Sequence, residues 1–109
     1  MDTQSQYCES INLPDMLSIR HVLELRSKLS AELRSKDEIV VSISDGAEAD
    51  LSFIQLVEAA RRQAKSEGKT FRLSSPASGS VLKVLERGGF IESFDQEDLK
   101  FWLHKEVML

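Results

Sequence analysis

Hydrophobic positions along the chain change period several times, and each change marks an element. Ile19, Val22, Leu25, Leu29 and Leu33 recur at steps of three and four residues, which puts them on one face of a helix. Arg20, Glu24, Arg26, Lys28, Glu32 and Arg34 supply its wet side, Ser18 suits the N-cap, and the pattern fades near Lys36. Before this helix, residues 10–13 (SINL) read as a short strand stopped by Pro14, which cannot donate to a ladder. Residues 1–9 are polar and read as a frayed, flexible end. After the helix, residues 39–44 (IVVSIS) are rich in β-branched side chains and follow a charged turn. Their nearly continuous apolar start predicts a central parallel strand buried on both faces. A second helix is predicted over 52–67, with Phe53, Ile54, Val57, Ala60 and Ala64 inward. Gly68 suits the left-handed position at its end.

Residues 70–73 (TFRL) predict another strand, and SSPASGS after it is rich in breakers. A third helix is predicted over 79–87, with Val81, Leu82 and Leu85 inward and Gly88 just beyond. Phe90-Ile91 starts a short return, FDQEDL is polar, and KFWLH reads as an edge strand. The order is β, α, β, α, β, α and a last β. Such alternation predicts an α/β fold: a small mixed, mainly parallel β-sheet with three helices packed largely on one face.

Length and composition narrow this further. A chain of 109 residues is one domain, 1–109, long enough for its own core. Hydrophobic residues at 41% and charged residues at 29% place it among ordinary globular domains. Fourteen Lys and Arg against 18 Asp and Glu leave a net charge of -4, which argues against nonspecific nucleic-acid or anionic-membrane binding. Apolar runs are too short to span a bilayer, so no direct membrane insertion is expected. No basic region followed by an apolar stretch opens the chain, so no secretory signal is expected. The one cysteine, Cys8, cannot form an internal disulfide, which suits a reducing, cytoplasmic setting.

In a parallel sheet the loops after the strands gather along one edge, where helix N-termini also point. That edge would carry Asp45, Glu48 and Asp50 from one loop and Ser74, Ser75, Ser78 and Ser80 from the next. Capping accounts for much of this: Asp50 or Ser52 suits the start of the second helix, and Ser78 or Ser80 the third. Hard cations want a denser oxygen set than three loop carboxylates, so no metal site is expected. The histidines are His21, in the first turn of a helix, and His104, near the C-terminus; Cys8 falls in the frayed end, and neither Gly-x-Ser-x-Gly nor a phosphate-cradling glycine loop with Lys is present, so no catalytic residue and no cofactor are assigned. Arg61, Arg62, Lys65, Lys69 and Arg72 give residues 56–75 five basic against two acidic side chains. This is either a solvated helix surface or a docking patch for an acidic partner. Phe90, Phe94, Phe101 and Trp102 are expected to complete the core, with the 101–102 pair as an alternative interface anchor.

Taken together, residues 39–90 resemble the STAS domain, the family of anti-sigma factor antagonists and of the cytoplasmic domains of sulfate transporters. The resemblance rests on an apolar strand at 39–44, a loop ending in Asp50-Leu51-Ser52-Phe53, Ile54 and Val57 in the following helix, and Gly68. It continues through the strand at 71–73, Pro76, and a helix ending near Gly89. With the upstream strand and helix it covers about 80 of the 109 residues. Phospho-regulated members carry a Ser or Thr just after the loop Asp. Here that position is Leu51, Ser52 stands next, and Phe53 replaces the usual small residue. Ser52 is thus a candidate displaced phosphoacceptor. A phosphate there would gain from the helix N-terminus and be repelled by Asp50 and Glu48. The chain before the first helix is also shorter than in many members, so one of two opening strands is expected to be missing.

The resemblance implies a non-catalytic, bacterial-type interaction module with a protein partner: a regulatory kinase, such as a chemotaxis histidine-kinase assembly, or an anti-sigma factor. Asp45, Gly46, Asp50, Leu51, Ser52, Phe53, Gln55, Arg61 and Arg62 are its expected partner-binding residues. A transporter subunit is the alternative partner, in a lipid- or anion-transport ATPase complex. A phosphate or nucleotide sensor is a third reading, and a homodimer stays open.

Overall fold

Residues 10–105 are described by a computed structural model, in which the elements follow the order β1 (Ser10–Asn12), β2 (Met16–Leu17), α1 (Val22–Ser35), β3 (Glu38–Ser42), β4 (Glu48–Ala49), α2 (Leu51–Ser66), β5 (Thr70–Leu73), α3 (Gly79–Arg87) and α4 (Gln96–Leu103). The expected frayed end at 1–9, with Cys8, lies outside the described residues. Single 3-10 turns at Ile19–His21 and Ile91–Ser93 precede α1 and α4.

Two parallel ladders build the sheet layer. One has the order β1-β3-β5, with Val40 opposite Ser10 and Arg72. The other is a two-residue pair that sets Met16 opposite Glu48 and Leu17 opposite Ala49. β3 is central, as its apolar run predicted, and Ile39, Val40 and Val41 are all buried.

The helices follow from their apolar stripes. Leu25, Leu29 and Leu33 bury one face of α1 against β3 and α2. At about 1.5–3 kcal/mol per fully buried side chain, this stripe outweighs the weak propensity of a 14-residue helix. Ile19 is exposed, because the chain enters α1 through a 3-10 turn that rotates it out of the predicted phase. All five predicted inward positions of α2 are buried. The helix ends where Gly68 takes φ +71°, and the Lys69 amide reaches back to the Ala64 carbonyl at 2.8 Å.

The last segment corrects the expectation of an edge strand at KFWLH and raises the helix number from three to four. Residues 96–103 are helical because Asp95 and Asp98 form a reciprocal cap. The Asp98 amide donates to Asp95 Oδ1 at 2.9 Å and the Asp95 amide to Asp98 Oδ2 at 3.2 Å. The bond from the Asp98 amide, above all, holds the Asp95 carboxyl below its usual range, with the Arg61 charge adding to it. Phe101 and Trp102 both enter the core, on neighbouring positions of one helix rather than opposite faces of a strand. Trp102 also takes the Ala77 amide on its carbonyl at 2.7 Å, tying α4 to the loop after β5.

Candidate functional site

The loop after β3 is folded by short-range bonds before anything else touches it. Ser44 Oγ accepts the Gly46 amide at 3.2 Å and the Ser44 carbonyl accepts the Ala47 amide at 3.0 Å, closing a turn that buries Ala47. From there β4 runs beside β2, and the Glu48 amide reaches the Asp15 carbonyl at 2.6 Å.

Asp50 is the N-cap of α2. Its Oδ1 accepts the Ser52 amide at 3.1 Å and the Ser52 hydroxyl at 2.5 Å. Its Oδ2 accepts the Ile19 amide at 3.0 Å, from the chain entering α1. One carboxylate therefore fixes the starts of two helices. The Ser52 hydroxyl, followed by the amides of Ile19, Phe53 and Ser52, holds its carboxyl below the usual value, with burial working against the shift.

The expected gathering of the loops is present. Ser78 Oγ donates to Asp45 Oδ1 at 2.7 Å, and Ser80 Oγ accepts the Ala49 amide at 2.9 Å. Gly79, at φ +56°, lets α3 approach so closely that a Cβ there would stand 2.6 Å from the Asp45 carbonyl oxygen. Asp45 and Asp50 are thus engaged by different elements, and among the described residues no cluster of metal-ligating side chains forms. Ser52 donates to Asp50 at the start of α2, Ser78 donates to Asp45 across the two loops, and Ser80 accepts the Ala49 amide, so each hydroxyl is taken up in holding the loops together.

Of the sequence-predicted residues, Asp45, Gly46, Asp50, Leu51, Ser52 and Gln55 come together on this ledge. Leu51 is 48% exposed, directly after the cap. Gln55 and Ser52 line a groove of about 460 Å³ between α1 and α2, with Leu23 and Arg26 on the opposite wall. Phe53 is fully buried, so its part is to anchor the helix start from below. Arg61 and Arg62 lie apart. Arg61 is nine positions beyond Ser52, about 14 Å along a helix. Arg61 Nη1 contacts Glu58 Oε2 and Asp98 Oδ1, both at 2.9 Å, and its guanidinium lies 4.3 Å from the Phe101 ring centre. Glu58 Oε2 also accepts Trp102 Nε1 at 2.7 Å. This network fastens α4 to α2.

Sequence reading missed Met16, Ile19 and Leu23. With Leu51 they are the large apolar side chains exposed among the described residues. All four stand on segments that meet at Asp50. Met16 is on the strand paired with Glu48, Ile19 is bonded to Asp50, Leu51 follows it, and Leu23 faces Ser52 across the groove. The available signal was Leu23, an apolar residue out of phase with the buried stripe.

Among the described residues, no helix is long and apolar enough to cross a membrane. No curated protein matches the chain, and no solved structure does. A family model described as "Mlab, STAS domain" matches residues 2–93, from the start of the chain through α3 and the turn after it. With parallel strands, intervening helices and a loop ledge capped by Asp50 already in place, that match identifies the chain as a member of the STAS domain family.

Proposed function

We propose that this domain is a non-catalytic cytoplasmic module of a bacterial signalling pathway, and that it receives a regulatory kinase or anti-sigma-type protein on the Asp45–Gln55 ledge. The STAS family is generally one of binding modules rather than enzymes, which supports the coarser part of this reading. The observation that carries the rest is the placement of the exposed apolar side chains. Met16, Ile19, Leu23 and Leu51 surround one rigid, hydrogen-bonded helix start rather than scattering singly over the surface. Exposed apolar side chains framed by polar groups are the composition of an interface centre.

The contact is read as constitutive. Leu51 carries no hydroxyl, and the Ser52 hydroxyl already donates to Asp50. A phosphate on Ser52 would lose that bond and meet the Asp50 carboxylate, so phosphorylation would act by breaking the cap. A permanent contact also suits the second reading, a subunit of a lipid- or anion-transport ATPase complex.

The test is affinity capture with the wild-type chain and a Leu23→Glu/Leu51→Glu variant, followed by identification of what is lost. Recovery of a kinase or anti-sigma protein by the wild type alone supports the first reading, and a chemotaxis kinase would name the pathway. An ATP-binding transport subunit supports the second. A partner held equally by both proteins overturns the ledge.

A further inference from the structure

The second cleft of the molecule lies away from the ledge, between the C-terminal half of α2, the strand β5 and α4, with a volume of about 860 Å³. Six Lys and Arg line it against three carboxylates, in a chain whose net charge is -4. The carboxylates are already used inside it: Glu58 and Asp98 hold Arg61, and Glu97 stands 3.2 Å from Lys65. Arg62 and Lys100, on α2 and α4, are exposed and have no ionic partner among the described residues. Phe71 and Phe101 stack at 5.7 Å on its floor.

One wall is a sheet edge with no strand beside it among the described residues. β5 ends the order β1-β3-β5, and the segment expected to form an edge strand is the helix α4. The Thr70 and Ser74 amides bond to the Asp37 and Val41 carbonyls on the β3 side. In a parallel ladder alternate residues face alternate neighbours, so the amides of Phe71 and Leu73 face away from β3, toward the cleft.

We propose that this cleft binds an acidic, extended peptide segment of a partner protein, added as a strand beside β5. Strand addition takes affinity from the backbone and specificity from side-chain surroundings. Here those surroundings are cationic rims over an aromatic floor. They attract alternating acidic and apolar residues and repel a second copy of β5, which keeps the edge from pairing with itself. This inference is independent of the ledge and its partner.

The experiment uses the full chain, a fluorescein-labelled decapeptide of alternating Glu and Val, and a Lys/Val decapeptide as control. Fluorescence anisotropy should show saturable binding of the acidic peptide alone, weakened on the order of tenfold by Arg62→Glu/Lys100→Glu. Both positions are exposed and without an ionic partner among the described residues, so the variant should fold, and the Leu23→Glu/Leu51→Glu variant should bind the peptide as the wild type does. Bound peptide should slow amide exchange at Phe71 and Leu73. Absence of binding, or binding without slower exchange at those amides, overturns the proposal. So does tighter binding of ATP or a single-stranded oligonucleotide through the same two cations, since that would be recognition of charge alone.

Discussion

Replacing Asp50 by alanine removes three hydrogen bonds at once, and their cost can be worked separately. Loss of the α2 cap, carried by the Ser52 amide and hydroxyl on Oδ1, costs about 1 kcal/mol. Loss of the Ile19 amide's acceptor on Oδ2 costs about 1 kcal/mol more. The total of about 2 kcal/mol should lower the urea midpoint by roughly 1 M and the melting temperature by about 10 °C. Asp50→Asn keeps a capping oxygen, since Asn caps as well as Asp, so it should lose about half as much. The pH dependence separates charge from shape. Because the folded carboxyl lies below its unfolded value of about 3.9, its contribution is present above that value and fades as pH falls through the folded one. The gap between wild type and Asp50→Asn should therefore be full at neutral pH and close under acid. A midpoint unchanged in Asp50→Ala, or a gap that persists unchanged in acid, would refute the view that one ionised carboxylate holds both helix starts.

Three further outcomes are expected. Glu58→Ala leaves Trp102 Nε1 without its acceptor and should cost about 2 kcal/mol, while Glu58→Gln keeps an oxygen and should cost less; denaturation followed by the fluorescence of the single Trp checks both. Leu51→Ala and Leu23→Ala should each change stability by under about 0.5 kcal/mol, yet weaken partner capture on the order of fivefold or more, measured by titration against the captured partner. Gly79→Ala should destabilise by about 2 kcal/mol, more than Gly68→Ala at about 1 kcal/mol. Both have positive φ, but only at Gly79 does a carbonyl oxygen occupy the space, and comparative melting curves should rank them in that order.

The central units were legible because burial and period coincided. Phe53, Ile54, Val57, Ala60 and Ala64 repeat with the helical period, and all five are buried, while Ile39, Val40 and Val41 are continuous because β3 is covered on both faces. The C-terminal segment misled because Phe101, Trp102 and Leu103 are consecutive, and a short apolar run has no period to read. The decisive signal was the Asp95/Asp98 spacing, whose polar residues look like a loop until their carboxylates are seen capping amides. The β2–β4 pair was beyond reach for a different reason: two residues a side carry no alternation, and only the arrival of Asp50 and Ser80 aligns them. Of the candidate site, the meeting of the two loops could be anticipated because a parallel topology gathers them along one edge. The apolar frame could not, since exposure of Ile19 depends on a turn that shifts the helical phase by part of a residue.

The ledge is stitched together by bonds between distant parts of the chain: Ile19 with Asp50, Ala49 with Ser80, Asp45 with Ser78, each spanning 31 or 33 residues. Closing loops of that size comes after local helix formation. On a ribosome, the surface around Asp50 cannot be completed until residue 80 has emerged, although most of its own residues are made much earlier. A nascent or clipped chain would carry the same leucines without the frame that presents them. Engagement of the proposed surface by a partner would then report that the chain between Ile19 and Ser80 has folded, which would make the ledge a checkpoint on the completeness of the domain that bears it.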